Sequence, residues 1–283
     1  MHLTRIIFLL FVMSAHACFE DPAPADHAVL HCSAASINTN NVGALPAPID
    51  YEIVARYPHR QQAFSQGLIY HGGFIYESSG LYAKSSVAKL VLDTAEVLKS
   101  TPLDKHYFAE GLTLFNNQLI QLTWKSNKVM RYDAKTLAPL KSSSTIDGEG
   151  WGLTHNGISL INSNGSATLY WRDPNTLKIL NSAQIRYGNR LLNNINELEW
   201  VNGCILANIW HSDTVVVINP VTAQVEHTLD LRRIAQPERQ INREHVANGI
   251  AYRQDNGNLL VTGKNWRYLY ELRLIKTKAD SLH

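Results

Sequence analysis

From Tyr51 onward the chain runs in short segments of apolar and polar residues bounded by turn signals. Tyr51 to Tyr57 alternates in strand fashion, and Gln118 to Trp124 and Ile205 to Trp210 are apolar runs of strand length. Pairs rich in Gly and Asn follow such runs: His71-Gly72-Gly73, Asn116-Asn117, Asn156-Gly157, Asn202-Gly203 and Asn256-Gly257. These pairs favour the positive φ of tight hairpins. No long stretch of 3.6-residue periodicity interrupts the pattern, so the chain is predicted to be all-β.

A short phrase recurs five times: Gln66-Gly67-Leu68, Glu110-Gly111-Leu112, Trp151-Gly152-Leu153, Asn196-Glu197-Leu198 and Asn248-Gly249-Ile250. Its apolar third positions, 68, 112, 153, 198 and 250, lie 44, 41, 45 and 52 residues apart. A four-stranded propeller blade repeats at about 40–50 residues. Each phrase opens a strand, a hairpin leads to a second, and a third runs into Asp93-Thr94, Asp133 to Thr136, Asp173 to Thr176 or Asn219 to Thr222. Asp and Asn there can bond the backbone two residues on. The pattern predicts a five-bladed β-propeller; accidentally similar hairpins of a β-sandwich are the alternative, which five copies in one internal order disfavour. After Asn248 only three strands remain, Ile250 to Arg253, Leu259 to Gly263 and Tyr268 to Leu274. The N-terminal strand Tyr51 to Tyr57 is expected to complete that last blade and close the ring.

Composition adds the setting. The 283 residues are 45% hydrophobic and 18% charged, with a net charge of +2 and no basic run. A substantial core follows, and nucleic acid is not expected as a partner. Arg5, the apolar stretch Ile6 to Met13 and Ala15-His16-Ala17 read as a signal peptide, residues 1–17, and the apolar stretch falls well short of a spanning helix. Residues 18–48 are expected to be a loosely structured leader, and 49–283 the catalytic propeller domain. The protein is expected to be secreted or periplasmic; Cys18, directly after the cut, also offers a site for lipid anchoring in a bacterial host. Export permits disulfides. Cys18 and Cys32 are the one nearby pair, while Cys204 sits in an apolar run and reads as a buried small hydrophobe. Asn164-Gly165-Ser166 is a glycosylation sequon, meaningful in a eukaryotic secretory route.

The repeat register places the chemistry. The start of the first strand and the end of the second share one face of the disc. The starts carry Gln66, Glu110, Trp151, Asn196 and Asn248; the ends carry Ser78 and Ser79, Trp124, Asn164, Trp210 and Lys264. An acid, a lysine, carboxamides and indoles around one mouth compose a pocket for a small molecule or a peptide end. Singly, each has a blander role: a rim carboxylate, a surface lysine, packing indoles, amides tying blades together. Glu149, two residues before Trp151, is expected in a supporting role. The twelve histidines are scattered and neither CxxC nor HExxH occurs, so no metal ligands are assigned.

The segments Phe64-Ser65-Gln66-Gly67-Leu68, Tyr76 to Tyr82, Phe108-Ala109-Glu110-Gly111-Leu112-Thr113, Leu122-Thr123-Trp124 and Glu149-Gly150-Trp151-Gly152-Leu153-Thr154 carry a resemblance. So do Asn196-Glu197-Leu198-Glu199, Asn208-Ile209-Trp210, Asn248-Gly249-Ile250-Ala251 and Val261 to Trp266. In order from about Tyr51 to Leu272, the chain resembles the plant and bacterial glutaminyl cyclase family. The resemblance implies a five-bladed propeller that converts N-terminal glutaminyl peptides to pyroglutamyl peptides with release of ammonia, without a metal or other cofactor. It implies that Glu110 is the acid/base carboxylate, that Gln66, Asn196 and Lys264 are the polar catalytic and substrate-binding residues, and that Trp124, Trp151 and Trp210 wall the substrate. Ala109 departs from a position where the family often has Gly. Some members hold a structural calcium ion, for which no carboxylate cluster is apparent here. On this reading Lys264 is expected to keep Glu110 ionised, the partners are peptides or proteins with N-terminal glutamine, and the protein is a monomer. A non-catalytic peptide-binding propeller is the alternative.

Overall fold

A computed structural model describes residues 29–32, 43–141 and 144–275. The expected signal peptide and Cys18 lie outside the described residues. Strand β1 (Ala47–Pro58) comes first. Three four-stranded antiparallel sheets follow in sequence order. The first holds β2 (Ser65–His71), β3 (Phe74–Ser79), β4 (Ser86–Val91) and β5 (Val97–Pro102). The second holds β6 (Ala109–Phe115), β7 (Gln118–Thr123), β8 (Lys128–Asp133) and β9 (Ser144–Thr145). The third holds β10 (Leu153–His155), β11 (Leu160–Asn162), β12 (Thr168–Arg172) and β13 (Ile179–Gln184).

After the short hairpin β14 (Arg186–Tyr187) and β15 (Arg190–Leu191) come β16 (Ile195–Val201), β17 (Cys204–Ile209), β18 (Thr214–Asn219) and β19 (Gln224–Asp230). Helix α1 (Arg232–Arg239) leads to β20 (Ala247–Tyr252), β21 (Leu259–Gly263) and β22 (Tyr268–Ile275). Strand β1 pairs antiparallel with β22 and, through Ala47 to Ile49, parallel with β19. That second pairing was not expected, and it fuses the last two groups into one ten-stranded mixed sheet.

The turns form as their side chains dictate. Asp133 Oδ1 accepts from the Thr136 N–H and hydroxyl, both at 2.7 Å, and Asp173 repeats the arrangement with Thr176 at 2.7 and 3.0 Å. Asn219 Oδ1 accepts from Val221 N–H at 2.9 Å. These bonds hold the reversal between third and fourth strands.

The opening strands succeed one another in a closed cycle: β2 packs on β6, β6 on β10, β10 on β16, β16 on β20, and β20 on β2. The recurring glycine makes this approach possible. A Cβ on Gly67 would sit 2.5 Å from Leu112 N, one on Gly111 2.5 Å from Leu153 N, and one on Gly152 2.0 Å from Asn196 O. Glu197 replaces glycine in the fourth phrase, and its carboxylate reaches the N–H groups of Ile250 at 2.9 Å and Leu68 at 3.4 Å. The apolar core is divided accordingly. Each buried cluster spans two consecutive groups, as Leu122 and Val129 with Leu153 and Leu160, or Leu68 and Ile75 with Ala251 and Leu260.

Three features depart from the sequence reading. Helix α1 was not expected; with Pro237 inside and only Ile234, Ala235 and Glu238 buried, its apolar stripe is too brief to register as a period. Cys32 does not pair with Cys18: it forms a disulfide with Cys204, across 172 residues of sequence and a Cα–Cα distance of 5.0 Å. Cys204 is therefore a buried half-cystine rather than a free thiol. Within the segment expected to be loose, Leu30 and Cys32 are buried in the core beside Val201 and Leu206.

A fully buried carboxylate in β3 organises the segment that leads into β2. Glu77 accepts from His59 Nε2 at 2.8 Å, Arg60 Nη2 at 2.6 Å and Ser65 Oγ at 2.6 Å. His59 Nδ1 faces the Trp266 carbonyl at 2.9 Å, so both ring nitrogens meet acceptors and the imidazolium satisfies both. Burial alone would raise Glu77, but His59, Arg60 and Ser65 outweigh it and hold the carboxyl at about 2. Burial alone would lower His59, and Glu77 outweighs it, raising the imidazole above 6.5.

Two outcomes are expected. Replacing Cys32 or Cys204 with Ser lowers the stability of the oxidised protein by about 2–4 kcal/mol, read from denaturant unfolding, with the difference vanishing under reducing conditions. Glu77, depressed in the folded state, contributes stability that is complete above the usual 4.5 and lost as pH falls toward about 2. His59, raised, contributes below 6.5 and loses its contribution as pH climbs through its folded value. Melting temperature should therefore fall for the wild type on acidification below pH 4.5, and Glu77→Gln should be less stable at neutral pH and flatter across that acid window.

Candidate active site

The seven residues singled out at the mouth come together. Gln66, Glu110, Trp124, Trp151, Asn196, Trp210 and Lys264 line one cavity of about 240 Å³, with Phe64, Phe108 and Glu244. That volume lies just below the range of about 300–1,000 Å³ usual for drug-sized ligands, and suits a single amino-acid residue. Asn248, Ser78 and Asn164, at equivalent repeat positions, are not in the lining. Asn248 Nδ2 instead donates to Gln66 Oε1 at 2.8 Å and to the Ser65 carbonyl at 2.8 Å, which leaves the Gln66 amide nitrogen to donate to the Glu110 carboxyl.

Ser78 holds the acid from behind. Its hydroxyl donates to the Glu110 carbonyl at 2.5 Å and accepts from Gln121 Nε2 at 2.7 Å, and Tyr132 donates to Gln121 Oε1 at 2.8 Å. The chain of buried bonds fixes the Glu110 backbone, since breaking it would strand buried polar groups. Ser163 does the same two groups further round, donating to the Asn196 carbonyl at 2.7 Å. The Asn196 Oδ1 is buried and without a partner among the described residues, an acceptor available to whatever enters.

The walls are aromatic and meet edge to face. Phe108 contacts Phe64 at 6.1 Å and Trp124 at 5.6 Å between centroids; Trp151 contacts Trp210 at 5.7 Å and 89°. Trp210 is 38% exposed and forms the outer lip, whereas Glu110 is 4% and Lys264 5% exposed. Phe64 and Phe108 were not assigned from the sequence. Each stands two residues before a rim residue, Gln66 or Glu110, at the same place in the repeat; that shared spacing was the available signal. Glu244, from the loop after α1, has no repeat counterpart. Glu149 Oε2 accepts from Trp124 Nε1 at 2.7 Å and Trp151 Nε1 at 3.0 Å.

Electrostatics correct one expectation. Burial pushes the Glu110 carboxyl well above the usual carboxylate range; Lys264 opposes this, Glu149 adds to it, and the Gln66 amide opposes it. Lys264 is itself lowered by burial, against the pull of Glu110 and Glu244. Its ammonium lies over the Phe64 ring, 4.7 Å from the centroid, and among the described residues no ion pair joins it to Glu110. Lys264 thus does not bring the Glu110 carboxyl back to its ordinary range, because the desolvation of Glu110 outweighs the attraction between them. Among the described residues, no group of three or more His, Cys, Asp and Glu side chains is placed to hold a metal ion, and no helix is long and apolar enough to cross a membrane.

Comparison with known proteins agrees with this chemistry. The chain is 38% identical over 235 residues to the glutaminyl-peptide cyclotransferase of Arabidopsis thaliana, covering 82% of this chain and 73% of that protein. The crystal structure of Myxococcus xanthus glutaminyl cyclase superposes with a TM-score of 0.76 at 33% identity, covering 82% of this chain and all of that one. Residues 26–274 match the glutamine cyclotransferase family model. The chain belongs to the glutamine cyclotransferase family.

Proposed function

We propose that this chain closes N-terminal glutamine into pyroglutamate by a proton relay centred on Glu110. Glutaminyl-peptide cyclotransfer is the activity of the family. The observation that carries it is a buried carboxyl of raised proton affinity inside an indole-walled cavity sized for one residue.

The reaction is intramolecular acyl transfer. The α-amine attacks the side-chain amide carbon, a carbon–nitrogen bond forms, and the bond to the amide nitrogen breaks to release ammonia. Nucleophile and electrophile are already tethered, so the site must fold the side chain into an attacking geometry and keep it there. Trp124, Trp151 and Trp210 wall the glutaminyl side chain and exclude water. Counted from the neutral amine, one proton leaves the attacking nitrogen and one arrives at the departing nitrogen. Glu110 carries that proton and ends as it began. An α-ammonium group titrates at about 7.7–8.0, so a carboxyl raised by burial is closer to it in proton affinity than an ordinary one. Proton exchange between the two is correspondingly less uphill. Lys264, with Gln66 or Asn196, stabilises the amide oxygen as it becomes negative. The unpartnered Asn196 Oδ1 suits an N–H donor of the substrate.

We further read the architecture as a five-bladed β-propeller, the last blade completed by β1. The closed cycle of opening strands and the five matching repeats support that reading. Residues 1–17 are read as a signal peptide and the enzyme as secreted or periplasmic; the Cys32–Cys204 disulfide supports an oxidising compartment.

Incubation with a short Gln-initiated peptide tests the activity and the relay together. Wild type should remove the mass of ammonia from the peptide. Glu110→Gln should melt near wild type and lose about 10²-fold or more of kcat. Binding of the peptide without loss of ammonia would mark a non-catalytic binder; near-normal turnover by Glu110→Gln would exclude the relay.

A further inference from the structure

We propose that Glu149 is a positioning residue for the cyclisation, holding two indole walls through one shared oxygen and setting a negative charge beside Glu110. It rests on the function proposed above but adds a residue that makes no part of the cavity lining.

An indole has one hydrogen-bond donor. Trp124 and Trp151 both commit theirs to the same Oε2, at 2.7 and 3.0 Å. Neither N–H is then available to a substrate, so these rings present faces and edges only. Turning either ring about its side-chain bonds would break the bond to Glu149. The two tryptophans come from different sheets, one following β7 and the other preceding β10. The carboxylate is thus a polar link between two aromatic pairs: Phe108 with Trp124 on one side, Trp151 with Trp210 on the other. Loss of the link would free both pairs to shift relative to each other.

Local sequence holds the acid in place. Gly148 has φ +81°, a conformation that side chains rarely adopt, and a Cβ on Gly150 would come within 2.9 Å of both Leu122 Cβ and Thr123 O. Gly150 N–H donates to the Trp124 carbonyl at 3.2 Å. The Gly-Glu-Gly turn therefore lies pressed against the chain that carries Trp124.

The charge has a separate effect, because Glu149 bonds two indoles that line the same cavity as Glu110. The charged groups acting on Glu110 are Lys264, from the loop after β21, and Glu149, from the loop before β10; Glu244 acts on Lys264. Lys264 favours the ionised Glu110 and Glu149 disfavours it. Removing the Glu149 charge should let Glu110 ionise at lower pH. The acid limb of kcat/KM, which reports the free enzyme, should move the same way.

Two variants separate the two roles. Glu149→Gln keeps an oxygen for the indoles and removes the charge: the acid limb should shift down by about one pH unit, with tryptophan fluorescence close to wild type. Glu149→Asp keeps the charge and shortens the reach: the limb should stay, while KM for a Gln-initiated peptide rises about five- to tenfold, as for one lost hydrogen bond, with altered tryptophan emission. An acid limb unmoved in Glu149→Gln overturns the electrostatic role, and wild-type KM and emission in Glu149→Asp overturn the positioning role. Lowered melting temperatures with unchanged kinetics would make Glu149 structural only, and would overturn both. A wild-type enzyme that releases no ammonia fails the parent reading instead.

Discussion

Desolvation of one carboxyl group governs the site. In water Glu110 would be an ordinary anion at neutral pH, a weak base with little affinity for the proton that the proposed relay passes through it. Taken out of water among Phe108, Trp124 and Trp151, it gains proton affinity, and Lys264 recovers only part of the lost solvation. The same burial makes Lys264 a donor that no solvent competes for. The rest of the molecule can be understood as what keeps this carboxyl dry and still. The buried chain Tyr132–Gln121–Ser78 fixes its backbone, and edge-to-face aromatics line the cavity it shares.

The repeats make that burial reproducible. A rim side chain is followed by a glycine whose missing Cβ lets the next opening strand approach, at Gly67, Gly111 and Gly152. Where glycine is replaced by Glu197, the side chain substitutes by bonding to the N–H groups of Leu68 and Ile250. Side chains at the ends of second strands, Ser78, Ser163 and Asn208, then bond the rim backbone of another repeat. Rim position, glycine contact and backbone tether are one local device used at successive places. Function enters by varying the rim residue: Gln66, Glu110, Trp151 and Asn196 differ in chemistry while occupying the same station.

This explains what the sequence revealed and what it hid. Strand order was legible because the repeats carry it, and the seven mouth residues because register brought eleven positions to one face and the family resemblance picked these seven out; Ser78, Ser79, Asn164 and Asn248, placed there by register too, do not line the cavity. Phe64 and Phe108 were overlooked because counting began at the phrase and not two residues before it. Glu244 and α1 lie in the connection between β19 and β20, which obeys no repeat. The Cys32–Cys204 bond could not be read, since 172 intervening residues carry no signal of spatial proximity. The parallel pairing of β1 with β19 was hidden for the same reason. The balance between Glu110 and Lys264 was misjudged because a sequence shows that opposite charges meet, not how much water they lose.

Infrared difference spectroscopy reads the proton affinity of Glu110. Spectra of wild type minus Glu110→Gln, recorded as pH is varied, isolate the carboxyl band of this one residue. A protonated-carboxyl band should persist well above pH 4.5, the usual value for glutamate. A band already lost at or below that pH would show an ordinary, solvated carboxylate and would contradict the account.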